Sequence, residues 1–213
     1  MTMRFITFEG GEGSGKSTQA RRLAARLSAA GQEVVLTREP GGAPLAEAIR
    51  TLVLETAPVS RVAECLLFAA ARAEHVSVTI APAIARGAFV ICDRFIDSTR
   101  VYQGMLGEVD KALIATLENA TVAPHLPALT LVLDLPPEAG LRRATERGTT
   151  NRFEGHDLEW HRRLRDGFLE IAHAEPVRCR VIDAVQDVEA VSEAIWREVA
   201  GAFGLDPPDR KHG

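Results

Sequence analysis

Between the apolar run Phe5–Phe8 and a stretch of helical periodicity stands Gly10-Gly11-Glu12-Gly13-Ser14-Gly15-Lys16-Ser17-Thr18, whose spacing constrains the fold more than any other part of the chain. It matches G-x-x-x-x-G-K-[ST] in the strand-to-helix context that this P-loop pattern requires. Glycines let successive backbone N–H groups turn inward around an anion, where side chains would crowd it. In such a loop Lys16 reaches the outer phosphates of a nucleoside triphosphate and the Ser17 hydroxyl ligates Mg²⁺. Gly10, Gly11, Glu12, Gly13, Ser14, Gly15, Lys16, Ser17 and Thr18 are therefore the candidate triphosphate cradle. Thr18–Leu27 then places Ala20, Leu23, Ala24 and Leu27 on one helical face, with Gly31 as the stop. The positive end of that helix dipole faces the same anion. A flexible glycine linker needs no Gly-Lys-Ser at this position, so the chain reads as a user of nucleoside triphosphates.

Apolar runs at Phe5–Phe8, Val34–Leu36, Phe89–Cys92, Leu129–Leu135 and Val181-Ile182 alternate with helical patterns. Short runs rich in Val, Ile, Leu and Phe suit strands buried on both faces, and their alternation with helices implies right-handed crossovers. The expected fold is a three-layer, doubly wound α/β domain: a parallel five-stranded sheet flanked by helices, of the P-loop NTPase type. The last helix repeats Val188, Val191, Ile195, Val199 and Ala202, a stripe for packing on the sheet. No linker composition divides the 213 residues, so one domain is expected over 1–205, with 206–213 as a disordered tail. The first strand follows so closely on Met1 that no signal peptide is expected, and no apolar run is long enough to cross a membrane; the cytoplasm is the expected location. Cys65, Cys92 and Cys179 lack paired spacing and read as buried free thiols. A net charge of −4 argues against a nucleic-acid partner held by overall charge.

In such sheets ligands bind beyond the carboxyl ends of the strands. After the second run comes Thr37-Arg38-Glu39-Pro40-Gly41-Gly42, where Arg38 could hold a second phosphate or simply pair with Glu39. After the third comes Asp93-Arg94-Phe95, with an acid placed for the magnesium shell and an arginine for a phosphate. Phe68 and Arg72 lie on one helical face, offering a ring to stack on a base and a guanidinium to bond its edge. Arg142, Arg143, Arg147 and Arg152 surround Gly148-Thr149-Thr150, the pattern of a mobile, positively charged lid over about 142–155.

Together these residues resemble the bacterial thymidylate kinase family. The resemblance runs from Met3 to about Phe203 and rests on Phe8–Thr18, Thr37–Gly42, Asp93-Arg94-Phe95 with Ser98 and Tyr102-Gln103-Gly104, and the arginine lid. It implies transfer of phosphate from ATP to dTMP with Mg²⁺, held by Ser17 and Asp93, in a homodimer without nucleic-acid or membrane partners. The resemblance further implies that Glu12 bonds the 3′-hydroxyl of dTMP and that Arg38 and Arg94 clamp its phosphate. Phe68 and Arg72 contact thymine, Ser98 and Thr99 lie near the base, and Tyr102 lies near the sugar with Gln103 beside it. Asp183-Ala184-Val185 resembles the segment that holds adenine, with Ala184 and Val185 as the contacts. Gly13-Ser14 leaves no arginine in the loop, so Arg147 and Arg152 inherit the catalytic role beside Lys16 and Arg94. Two departures stand out: Asn151 where an Asp commonly precedes the lid arginine, and Trp160 where Phe is common. Another nucleoside monophosphate such as dUMP or AMP stays open as acceptor. A GTP switch would need an Asn-Lys-x-Asp segment, which the sequence lacks.

Overall fold

A computed structural model describes residues 3–55, 60–146, 153 and 155–205. Among these, five parallel strands form one sheet: β1 (Phe5–Glu9), β2 (Val34–Arg38), β3 (Phe89–Asp93), β4 (Leu129–Asp134) and β5 (Cys179–Asp183). Their order is β2-β3-β1-β4-β5. The central β1 pairs with β3 through Phe5↔Val90 and with β4 through Ile6↔Leu129, and the chain leaves it first toward one edge and later toward the other. That reversal opens a crevice at the carboxyl end of β1, where the P-loop lies.

Every residue of β1 is buried, as are the first four of β3 and the first five of β4. The two outer strands depart from the expectation of two-sided burial: Leu36 of β2 and Val181 of β5 are 43% and 44% exposed. An edge strand has one neighbour, so the flanking helices cover it incompletely. On one face of the sheet α1 (Lys16–Ala29) and α9 (Val188–Phe203) bury Leu23, Leu27, Ile195, Trp196 and Val199 against β1 and β4. The α9 stripe is rotated from the one read in the sequence. Val188 and Ala202 face outward, and Trp196 takes the core position, with the Arg26 guanidinium 4.3 Å above its ring. Large aromatic surface outweighs strict periodicity in choosing the buried face.

The opposite face carries α2 (Pro44–Glu55), α3 (Arg61–His75), α4 (Ala81–Ala85), α5 (Ile96–Thr99), α6 (Lys111–Val122) and α8 (Leu158–Ala174), while α7 (Pro137–Glu146) follows β4 beside the P-loop and packs on α8. Ser60 caps α3, accepting from the Ala63 amide, and Asp157 caps α8 through Trp160 N–H at 2.8 Å. α5 runs on through wide π-type turns over Arg100–Leu106, which carry Tyr102 and Gln103 inward. Trp160 is half-buried, its ring edge-on to Tyr102 at 5.7 Å. No helix of the described residues is long and apolar enough to cross a membrane. Cys65, Cys92 and Cys179 are buried and free.

The P-loop is wedged against the first turns of α7. A Cβ on Gly13, where φ is 69°, would come within 2.0 Å of Gly140 O, and one on Gly140 within 2.3 Å of Glu12 O. We expect Gly13→Ala to cost about 3 kcal/mol or more, since left-handed strain and backbone overlap act together. Urea unfolding should show this as a lower midpoint at unchanged slope; an unchanged midpoint would contradict the close approach.

Candidate active site

At the head of α1 the backbone holds Gly15 at φ 92°, and Lys16 folds back over the loop. Its Nζ donates to Gly10 O at 3.1 Å, Gly11 O at 2.7 Å and Ser14 Oγ at 3.3 Å. Burial first, and then Arg94, push the Lys16 ammonium down to about 8. A cation whose charge is disfavoured in this way is one that an incoming anion stabilises. Ser17 Oγ donates to the Asp93 carboxylate, so the two expected magnesium partners meet at the end of β3. Both offer hard oxygen donors, which suits Mg²⁺.

Arg94 follows immediately. Its amide donates to Phe8 O at 2.9 Å, and its guanidinium reaches across the loop to Gly10 O at 3.3 Å, Ser98 Oγ at 3.4 Å and Glu12 Oε1 at 2.7 Å. The same Glu12 oxygen accepts from the Tyr102 hydroxyl at 2.9 Å, and the Arg94 guanidinium lies 5.2 Å from the Tyr102 ring centre. Burial opposes the Arg94 charge, but Tyr102, Glu12, Asp93 and Glu9 outweigh it and hold the group more firmly protonated than usual. A carboxylate in a phosphate loop is thereby neutralised before any ligand arrives.

Two adjoining cavities share Glu12, Glu39, Arg50 and Arg94 as a common wall. The first is lined in addition by Phe68, Arg72, Ser98, Thr99, Tyr102 and Gln103. Glu12 through Gln19, with Asp93 and Ala184, line the second. Of the expected acceptor contacts, all but Arg38 line the first cavity; Arg38 lies on the second and pairs with Glu47 at 3.2 Å rather than with Glu39. Gly10 and Gly11 serve through the carbonyls that hold Lys16. Ala184 lines the second cavity, with its carbonyl on Arg143 Nη1 at 3.1 Å, whereas Val185 is 58% exposed and does not. Arg147, Arg152 and Asn151 lie outside the described residues.

Several residues of the site were missed by sequence reasoning. Glu39 is buried and accepts from Arg72 Nε at 2.8 Å, while His75 Nδ1 lies 3.0 Å from its other oxygen. Arg72 also donates to Phe95 O and Thr99 Oγ1, so its guanidinium is fixed edge by edge against the first cavity. Arg50 of α2 donates to Pro40 O at 2.7 Å and lines both cavities. Burial, then Arg38, lower its affinity for a proton, with Arg94 acting in the same direction. Arg50 and Arg94 on the shared wall, with Lys16 and Arg38 on the second cavity, gather cations where an anion can bind. Nothing in the sequence marks Arg50, which reads as an ordinary solvated position of an amphipathic helix.

Glu9, fully buried at the end of β1, is pushed up to about 7 by burial and by Asp97, against the lowering effect of Ser98, Arg94 and the Phe95 amide. Unfolding returns it to its ordinary 4.5, so the native state holds the extra proton between these values. Its stability contribution is complete below about pH 4.5 and is lost as pH rises through about 7. Comparing Tm from about pH 5 to about pH 8, we expect wild type to lose more than Glu9→Gln over the same range; parallel curves would refute the shift.

A phosphate loop and a second cavity meeting at one wall that carries Arg50 and Arg94, on a doubly wound parallel sheet, define a P-loop nucleotide kinase. The comparisons agree. The family model described as thymidylate kinase matches residues 8–195. A thymidylate kinase of Caulobacter vibrioides is 56% identical over 94% of this chain and 98% of its own length, and one of Nitrobacter winogradskyi is 53% identical over 91% and 86%. The crystal structure of thymidylate kinase from Ehrlichia chaffeensis superposes with a TM-score of 0.77 at 38% identity, covering 92% of this chain and 97% of that one. The chain belongs to the thymidylate kinase family.

Proposed function

We propose that the protein transfers the γ-phosphoryl group of ATP directly to the phosphate of dTMP, giving ADP and dTDP. The observation that carries this reading is the shared wall of Glu12, Glu39, Arg50 and Arg94 between the two cavities. It brings an acceptor phosphate and a donor triphosphate to the same cations. The acceptor oxygen is already ionised at neutral pH, so neither a side-chain nucleophile nor a strong general base is required. Catalysis then rests on positioning and on charge stabilisation.

In this reading Lys16 and the loop amides hold the donor phosphates, Arg94 spans both phosphates, and Arg38 and Arg50 support the acceptor side. Glu12 and Tyr102 face the sugar, while Phe68 and Arg72 hold the base, with Ser98, Thr99 and Gln103 beside it. Ala184 lies near adenine. Ser17 and Asp93 would hold Mg²⁺, which supplies countercharge to the phosphates when bound. Arg147 and Arg152 supply positive charge to the transferred phosphoryl group. The reading includes a homodimer, supported by exposed Leu45 and Leu52 on α2 beside exposed Val62 and Leu66 on α3, and light scattering checks it.

A coupled ADP-release assay with Mg²⁺ and ATP across dTMP, dUMP and AMP tests the acceptor. dTMP should give the highest kcat/KM, and a strong preference for AMP would remove the assignment.

A further inference from the structure

Glu9 lines neither cavity, yet its carboxyl collects three hydrogen bonds from one short segment. Oε1 accepts from Phe95 N–H at 2.8 Å and Ser98 N–H at 3.1 Å, and Oε2 accepts from Ser98 Oγ at 2.7 Å. That segment starts directly after Arg94, whose φ of 67° is left-handed for a bulky residue. Such backbone costs about 1–3 kcal/mol and persists only where its surroundings over-determine it. Adjacent residues of β1 do this from both sides: Phe8 O accepts the Arg94 amide at 2.9 Å, and Glu9 holds residues 95 and 98. The two amides that Glu9 accepts are those of the first turn leading into α5, which otherwise lack helical partners. The kink they fix is what sends the Arg94 side chain back over the P-loop to Gly10 and Glu12.

We propose that Glu9 is a positioning residue for Arg94, holding the left-handed turn that aims its guanidinium at the wall between the cavities; this rests on Arg94 acting on the phosphates there. The role belongs to the geometry of its acceptors. Gln keeps Oε1 for both amides and turns its own N–H₂ toward a Ser98 hydroxyl that can accept. Asp keeps the carboxyl but withdraws the acceptors by one methylene.

The test is kcat and KM for the full-length variants, corrected for folded fraction. Glu9→Ala should lower kcat about 10- to 100-fold with little change in KM for ATP, the scale of a catalytic group misplaced by about 1 Å. Glu9→Asp should fall similarly, and Glu9→Gln should stay within about threefold of wild type. In the double variant with Arg94→Ala, the Glu9 substitution should add less than about threefold to the loss caused by Arg94→Ala alone. Should Glu9→Ala not fold, Glu9→Asp carries the same cycle. Independent, multiplying losses overturn the proposal while leaving Arg94 its place in catalysis, and so does an active Asp variant beside an inactive Gln variant. Arg94→Ala with wild-type kcat overturns both the proposal and the reading beneath it, a failure visible in that single variant.

Discussion

Replacing Arg94 by alanine is expected to lower kcat by about 10²- to 10³-fold, which corresponds to about 3–4 kcal/mol of lost transition-state stabilisation. The argument begins with the backbone. The left-handed Arg94 places its guanidinium where it touches Gly10 O, Glu12 and Ser98 and lines both cavities. It is the group best placed to bridge the two phosphates as charge moves between them, and burial strengthens that interaction. Its removal also leaves the largely enclosed Glu12 carboxylate, 10% exposed, with the Tyr102 hydroxyl but without this cation, so dTMP binding should weaken as well. Arg94→Lys should recover little, because an ammonium is a single charge centre and cannot span the several partners that the fork reaches. Steady-state kinetics at saturating ATP and dTMP provide the measurement. A kcat within about threefold of wild type in Arg94→Ala would show that the bridge is not catalytic.

Arg152→Ala is expected to lower turnover by about 10³-fold while changing nucleotide affinity far less. Phosphoryl transfer gains from a second cation at the transferred group, and in this protein the loop cannot supply it. Gly13 faces the Gly140 carbonyl at a separation that excludes even a Cβ, so no arginine fits at that place in the loop. The sequence around Gly148-Thr149-Thr150 offers Arg147 and Arg152 instead, on the reading proposed above. Single-turnover rates measured alongside equilibrium binding of an ATP analogue separate the two effects. Equal losses in affinity and turnover would make Arg152 a binding residue, and an unchanged turnover would remove it from catalysis.

The parts of the site that were legible in the sequence are those whose chemistry is local. The P-loop carries its glycines, lysine and serine within one turn, so spacing reveals it. Asp93 and Arg94 could be read because they end and follow a buried strand whose end must face the crevice. Phe68 and Arg72 share a helical face by period alone. Glu39, Arg50, His75 and Glu9 were not legible, because each acts through partners 10 to 89 residues away along the chain. Glu39 illustrates the difficulty. As a neighbour of Arg38 it reads as half of a surface pair, but the sheet turns it inward to Arg72 and His75 and leaves Arg38 to Glu47.

By itself, the sequence determined that a phosphate loop sits between a strand and a helix, that strands and helices alternate in a parallel sheet, and that the arginines needed for phosphoryl chemistry are present. Local spacing and periodicity suffice for these. Tertiary structure alone decided that Glu12 turns from the loop toward Arg94 and Tyr102, that Arg50 joins the wall between two cavities, and that a buried Glu9 fixes the strained turn before α5. Burial and the direction of a charged side chain depend on what packs around it, and strand order brings those neighbours together from distant parts of the chain.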